Sequence, residues 1–136
     1  MSTTSLDTVT PPAAMSTTGS PPVGIMLRLE ALGVVAASLA AYSYLGFSWW
    51  MFAALILVPD LSGLGYLAGS KVGAWCYDLA HTYAIPVALG VIGYATHEPL
   101  AMAVAAVWLS HISIDRVVGY GLKFAGNPKD THMSRL

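Results

Sequence analysis

"VGAWCYDLAHTYAIPVALGVIGYAT", Val72 to Thr96, is the stretch on which the reading of this chain turns. It is mostly apolar and long enough to cross a bilayer core, which takes about 20 helical residues. Yet it carries Asp78 and His81 three residues apart. An ionisable residue inside a membrane segment is costly and by default marks a functional site. The stretch is therefore expected to be a transmembrane helix with a polar purpose.

Three further segments resemble it: "IMLRLEALGVVAASLAAYSYLGF" (Ile25 to Phe47), "SWWMFAALILVPDLSGLGYLAG" (Ser48 to Gly69) and "EPLAMAVAAVWLSHISIDRVVGYGLKF" (Glu98 to Phe124). The turns between them are short, so neighbouring helices should be antiparallel and adjacent. The expected fold is an all-α membrane protein, an up-down bundle of four transmembrane helices over residues 25–124. In the second segment Pro59 removes a backbone donor and crowds the preceding turn, so a kink or break is expected near Pro59 and Asp60. The small residues of "GVVAASLAA" and "AMAVAAVWLS" allow close helix packing. Trp49, Trp50 and Tyr94 suit an interfacial belt on one face, and Tyr66, Tyr120 and Phe124 one on the other.

Composition agrees. The chain has 136 residues, 56% hydrophobic and 10% charged, against about 25% charged in soluble domains. Residues 1–24 are rich in Ser, Thr and Pro, with Asp7 the only charge. They cannot bury enough apolar surface to order themselves and are expected to be a disordered tail. No Lys or Arg precedes Arg28, which excludes a secretory signal or an Arg-rich transit peptide. "MSTT" occurs at residues 1–4 and 15–18, which makes Met15 an alternative start. Arg28, Lys71, Lys123, Lys129 and Arg135 fall on one side of the bundle, whereas the turns near Phe47 and at "THEP" carry no Lys or Arg. The positive-inside rule then places both termini, including a short tail at 125–136, in the cytoplasm. Cys76 excludes an intrachain disulfide and reads as a small buried hydrophobe. A basic nucleic-acid surface is absent, and "GLGYLAG" lacks the lysine of a phosphate-binding loop. The expected partner is the lipid bilayer; a homo-oligomer and the substrate are open.

The ionisable residues share a level. At about 1.5 Å per residue from the cytoplasmic ends, Glu30 and Asp60 lie roughly 9 Å deep, Asp78 about 10 Å and Asp115 about 12 Å, with His81 and His111 deeper at roughly 15–18 Å. Each segment supplies one carboxylate although the helices alternate in direction. Asp78 and His81 share a helix face at i and i+3, and His111 and Asp115 at i and i+4.

Carboxylates from two helices and acid–His pairs from two others form an arrangement similar to carboxylate-bridged two-metal bundles, with Asp mostly in place of Glu. The candidate metal ligands are Glu30, Asp60, Asp78, His81, His111 and Asp115. Imidazole and carboxylate suit zinc, iron or manganese. Such an ion could activate water for hydrolysis at lipid level, with Asp78 as a catalytic carboxylate and Arg116 steadying an anionic substrate group. Two other readings stay open. Arg28 and Arg116 could neutralise the acids in a structural network that fixes helix register in an accessory subunit. Alternatively, the layer could be part of a small proton- or ion-coupled transporter. Asp130 and His132 of "KDTHMSRL" could add ligands over the cytoplasmic mouth.

"LRLE" at 27–30, "PDLSGLGYLAG" at 59–69, "YDLAHTY" at 77–83, "HISIDRVVGYGLK" at 111–123 and "DTH" at 130–132 together resemble one bacterial family of small membrane proteins, domain of unknown function 4260, over residues 25–136. The resemblance implies an integral membrane protein of unassigned activity; the expected location is the inner membrane, crossed several times.

Overall fold

The computed structural model describes residues 21–122, which form helices and turns with no strand among them. Helix α1 spans Pro21–Leu45 and α2 spans Trp49–Leu55. A 3₁₀ helix follows at Pro59–Ala68, then α3 at Ser70–Ala80, α4 at Ala84–Ala95 and α5 at Pro99–Val118. The helix α1 begins before Ile25, at a Pro-Pro pair that a first helical turn accommodates. Of the tail expected at residues 1–24, residues 21–24 belong to α1, whereas residues 1–20 and the tail at 125–136, with Asp130 and His132, lie outside the described residues.

Three helical stretches, Val23–Leu45, Trp49–Ala68 and Pro99–Val118, are long and apolar enough to cross a membrane. The surface has the matching character: Leu67 is 88% exposed, Trp50 86% and Trp75 77%. In water such side chains would be an aggregation liability. These features suggest a membrane protein.

The second stretch changes character at its proline. Helix α2 stops at Leu55, and Pro59 opens the 3₁₀ helix that carries Asp60 in its first turn. The third stretch departs from expectation. It is not one helix from Val72 to Thr96: α3 ends at Ala80, the chain turns through residues 81–83, and α4 starts at Ala84. Pro86 is the physical reason. It has no N–H for the carbonyl four residues back, so an unbroken helix would lose a bond there, whereas in the first turn of a new helix the loss is harmless. Neither α3 nor α4 alone has the about 20 residues a crossing needs.

Helix α5 is the hub, packed against α1 and α4 and touching α2, while α3 packs on the 3₁₀ helix. Between α1 and α5, the Ser110 hydroxyl donates to Ser38 Oγ at 2.9 Å, both side chains buried. Fully buried Tyr42 donates to the Ser48 carbonyl at 2.7 Å and packs on Phe52, which pins the turn into α2. The contact of α3 with the 3₁₀ helix relies on glycine. A methyl group on Gly65 would lie 2.9 Å from Cys76 Cβ, and one on Gly73 would overlap Tyr66. Cys76 itself is exposed rather than buried, although it touches the seam at Gly65. Tyr66 lies against Gly73, not in an open belt, whereas Trp50, Tyr94 and Tyr120 are exposed.

Candidate functional site

Two irregular points of the chain meet the end of α5. Asp60 sits at the start of the 3₁₀ helix, His81 caps α3, and His111 and Asp115 lie one turn apart near the C-terminus of α5. Their ligand atoms all lie within 4.8 Å of one another. His81 Nε2 is 3.2 Å from His111 Nε2. Asp60 Oδ1 is 3.4 Å from His111 Nε2 and 3.5 Å from His81 Nε2. Asp115 Oδ2 is 3.6 Å from His81 Nε2 and 3.7 Å from His111 Nε2.

These separations have a chemical meaning. Four ligands at 2.0–2.2 Å from one tetrahedral ion stand about 3.3–3.6 Å apart. The five separations above, 3.2 to 3.7 Å, bracket that range. The sixth, between the carboxylates of Asp60 and Asp115, is bounded only at 4.8 Å, so the four residues could hold a divalent ion once those two carboxylates draw together by about an ångström.

Local structure sets each ligand. His81 has left the helix (φ −109°, ψ 14°), and its Nδ1–H donates to the Tyr77 carbonyl at 2.8 Å. That bond fixes the tautomer and aims the Nε2 lone pair at the cluster, the arrangement usual for a metal-binding histidine. The Tyr77 ring stacks on His81 at 3.7 Å, and its hydroxyl reaches Asp115 Oδ2 at 3.5 Å. Trp108 Nε1–H donates to the Ala80 carbonyl at 2.6 Å, which ties the end of α3 to α5 beside the site. Helix α5 closes one turn after Asp115. Tyr120 N–H bonds the Asp115 carbonyl at 2.7 Å and Gly119 N–H the Arg116 carbonyl at 3.2 Å, with Gly119 at φ 101°. This is the Schellman cap, which needs a left-handed residue.

Exposure gives the site a direction. The side chains of His81 and His111 are 4% and 6% exposed, that of Asp115 21% and that of Asp60 51%. The histidines form the floor and Asp60 the mouth. Arg116 lies beside the group, stacked over the Tyr83 ring at 4.6 Å. With Tyr77, His81 and Asp115 it borders a cavity of about 10 Å³, the size of one water.

Of the six expected ligands, the structure brings together Asp60, His81, His111 and Asp115 and leaves Glu30 and Asp78 outside the group. Glu30 is exposed on α1 and borders a separate cavity of about 160 Å³ with Leu27, Tyr83 and Arg116. Asp78 is partly buried on α3. Tyr77 and Trp108 escaped the sequence reading. Each stands about one helical turn before a histidine, on the same face, and that spacing was the available signal.

A family model described as domain of unknown function (DUF4260) matches residues 24–136. No curated protein and no solved structure matches the chain.

Proposed function

We propose that this chain, which belongs to the DUF4260 family, is an integral membrane protein that holds a divalent transition-metal ion at Asp60, His81, His111 and Asp115 and uses it to activate water. The observation that carries this reading is the convergence of four ligand atoms, from the 3₁₀ helix, the end of α3 and α5, within 4.8 Å of one another, with both histidines at tetrahedral spacing from each other and from both carboxylates. The donor set fits zinc, iron or manganese. Asp60, half-exposed at the mouth, is the carboxylate placed to yield its position to water or substrate, as open catalytic sites require. Hydrolysis is the chemistry such a site supplies.

The membrane arrangement belongs to the same proposal. Helices α3 and α4 together supply the fourth crossing. Both termini face the cytoplasm, on the side of Arg28, Lys71 and Lys123, and the membrane is the bacterial inner membrane. Positive charge is then concentrated on the side nearest the site.

A second reading draws support from charge balance: two protonated histidines and two carboxylates would form a neutral network that only fixes helix packing. The 3.2 Å separation of the two Nε2 atoms opposes two protonated rings, whose N–H groups would repel, but it suits a hydrogen bond from the His111 ring to the His81 lone pair as well as a shared cation. Elemental analysis of detergent-purified protein separates the two readings. The metal reading expects about one ion per chain, lost in His81→Ala and His111→Ala and kept in Asp78→Ala. Metal-free protein after growth and refolding with zinc, iron and manganese would refute it.

A further inference from the structure

We infer that the substrate is an amphiphile with one acyl chain, its polar head on the metal and its chain in the apolar cavity beside the site. The inference rests on the metal reading above. The cavity has about 240 Å³, more than the about 150 Å³ apolar cavity that takes up benzene. It adjoins the site through chain neighbours of the ligands: Pro59 precedes Asp60, Ala80 precedes His81, and Trp108 lies one turn before His111. Leu55, Val104 and Val107 make its far wall.

Two observations point to the occupant. The first is the direction of the cavity. Asp115 lies near the end of α5, and Val104 lies about 16 Å further back along the same axis. The cavity therefore runs from the metal along the helix axis and past the membrane centre, which is how an acyl chain would lie with its head held at the site. The second is Ser62. It lines this apolar cavity two residues after Asp60, and its buried hydroxyl finds no hydrogen-bond partner among the described residues. A buried hydroxyl without a partner is costly. A carbonyl at the junction of head and chain would satisfy it. Asp60 points the same way, since a half-exposed carboxylate at membrane depth calls for a polar group over it. Together these features fit an acyl compound with a metal-seeking oxygen head, such as a fatty-acyl ester.

The test uses zinc- or cobalt-loaded full-length protein in nanodiscs, with acetohydroxamate and octanohydroxamate as probes that share a chelating head and differ in chain. Cavity-filling Val104→Phe should weaken octanohydroxamate binding at least tenfold while metal content and acetohydroxamate binding stay as in wild type. Val58→Trp fills the cavity from an exposed rim position and gives the same readout should Val104→Phe fold poorly. Ser62→Ala should weaken both probes about fivefold, the worth of one hydrogen bond. Octanohydroxamate affinity unchanged in both filled variants, with metal and acetohydroxamate bound, overturns the acyl-chain inference and leaves the metal site standing. Absence of metal from the wild type overturns the metal reading and this inference together.

Discussion

Metal loading should stabilise this protein, and the size of the effect follows from the geometry. The two histidines already stand at tetrahedral separations from each other and from both carboxylates, so rearrangement is confined to drawing the carboxylates together. An ion that binds only the folded chain at 100 times its Kd then adds about 2.7 kcal/mol. A folded unit of about this size gains about 4–8 °C in Tm per kcal/mol, so the expected shift is on the order of 10–20 °C. His111→Ala removes a buried ligand, which should weaken binding more than the about 100-fold upper range seen for outer-shell partners. At the same free zinc concentration the variant then gains only about 0.4 kcal/mol, or about 2–3 °C. The assay is thermal unfolding in detergent, with chelator or with buffered zinc, for wild type and variant. Comparing each protein with its own metal-free form cancels any packing damage from the substitution. A wild-type shift near zero, or equal shifts in both proteins, would refute the reasoning.

Four further outcomes follow from the same geometry. Tyr77→Phe keeps the ring stack and the backbone bond to His81 but loses the hydroxyl contact to Asp115; at 3.5 Å that contact is long, so metal affinity should fall by about tenfold, the low end for such partners, as measured by competition with a chromophoric chelator. Gly73→Ala places a methyl group into Tyr66, so α3 must move off the 3₁₀ helix, and metal content should drop although the substitution lies outside the ligand set; full occupancy would show that the seam does not set the site. Pro86→Ala restores the missing donor and lets α3 and α4 join through residues 81–83, so circular dichroism should report more helix while metal affinity falls at least tenfold as His81 is drawn back into the helix. Lowering the pH should release the metal, because every ligand must be deprotonated to bind, and dialysis followed by elemental analysis would detect it; retention at acid pH would exclude His ligation.

That four of the six residues meet was legible in the sequence, and which side of its neighbour each helix presents was not. Counting residues from the membrane ends placed Glu30, Asp60, Asp78 and Asp115 in one layer, but four residues of that layer region meet and two stand apart. Glu30 shows the reason. Its helix packs on α5, yet it borders the cavity that holds Tyr83 and Arg116, a different side of α5 from the one the 3₁₀ helix approaches. A residue count along one helix carries no information about which side of its neighbour it meets. "HISID" was informative because both ligands lie on one regular helix, where the i, i+4 relation holds. "YDLAHTY" misled because its helix stops before the histidine. Even on an ideal helix, His81 is about 40° from Tyr77 and about 60° from Asp78, and beyond the end of α3 the imidazole folds back onto Tyr77. Pro59 announced the first irregular segment. Pro86 announced the second, but the apolar run around it read as an unbroken span.

The two irregular segments and the candidate site have a common cause. Backbone that leaves the α-helix inside a membrane exposes carbonyls that lipid cannot satisfy, so it persists only where protein or a polar cavity covers it. Both departures in this chain converge on one place: the 3₁₀ helix begins at Pro59–Asp60, and the break of α3 falls at His81. The cover is visible in the bonds. Trp108 from α5 donates to the Ala80 carbonyl, a group freed at the end of α3, and the His81 ring adds a second bond to the Tyr77 carbonyl, which already accepts the His81 backbone N–H. A continuous α3–α4 helix would need none of this and would avoid burying two histidines. The chain instead carries a proline where such a helix would form, and the result is a histidine outside helical geometry facing a second one at 3.2 Å. Under the proposed function that choice has a reason, because coordination of an ion requires lone pairs from separate elements aimed at one point.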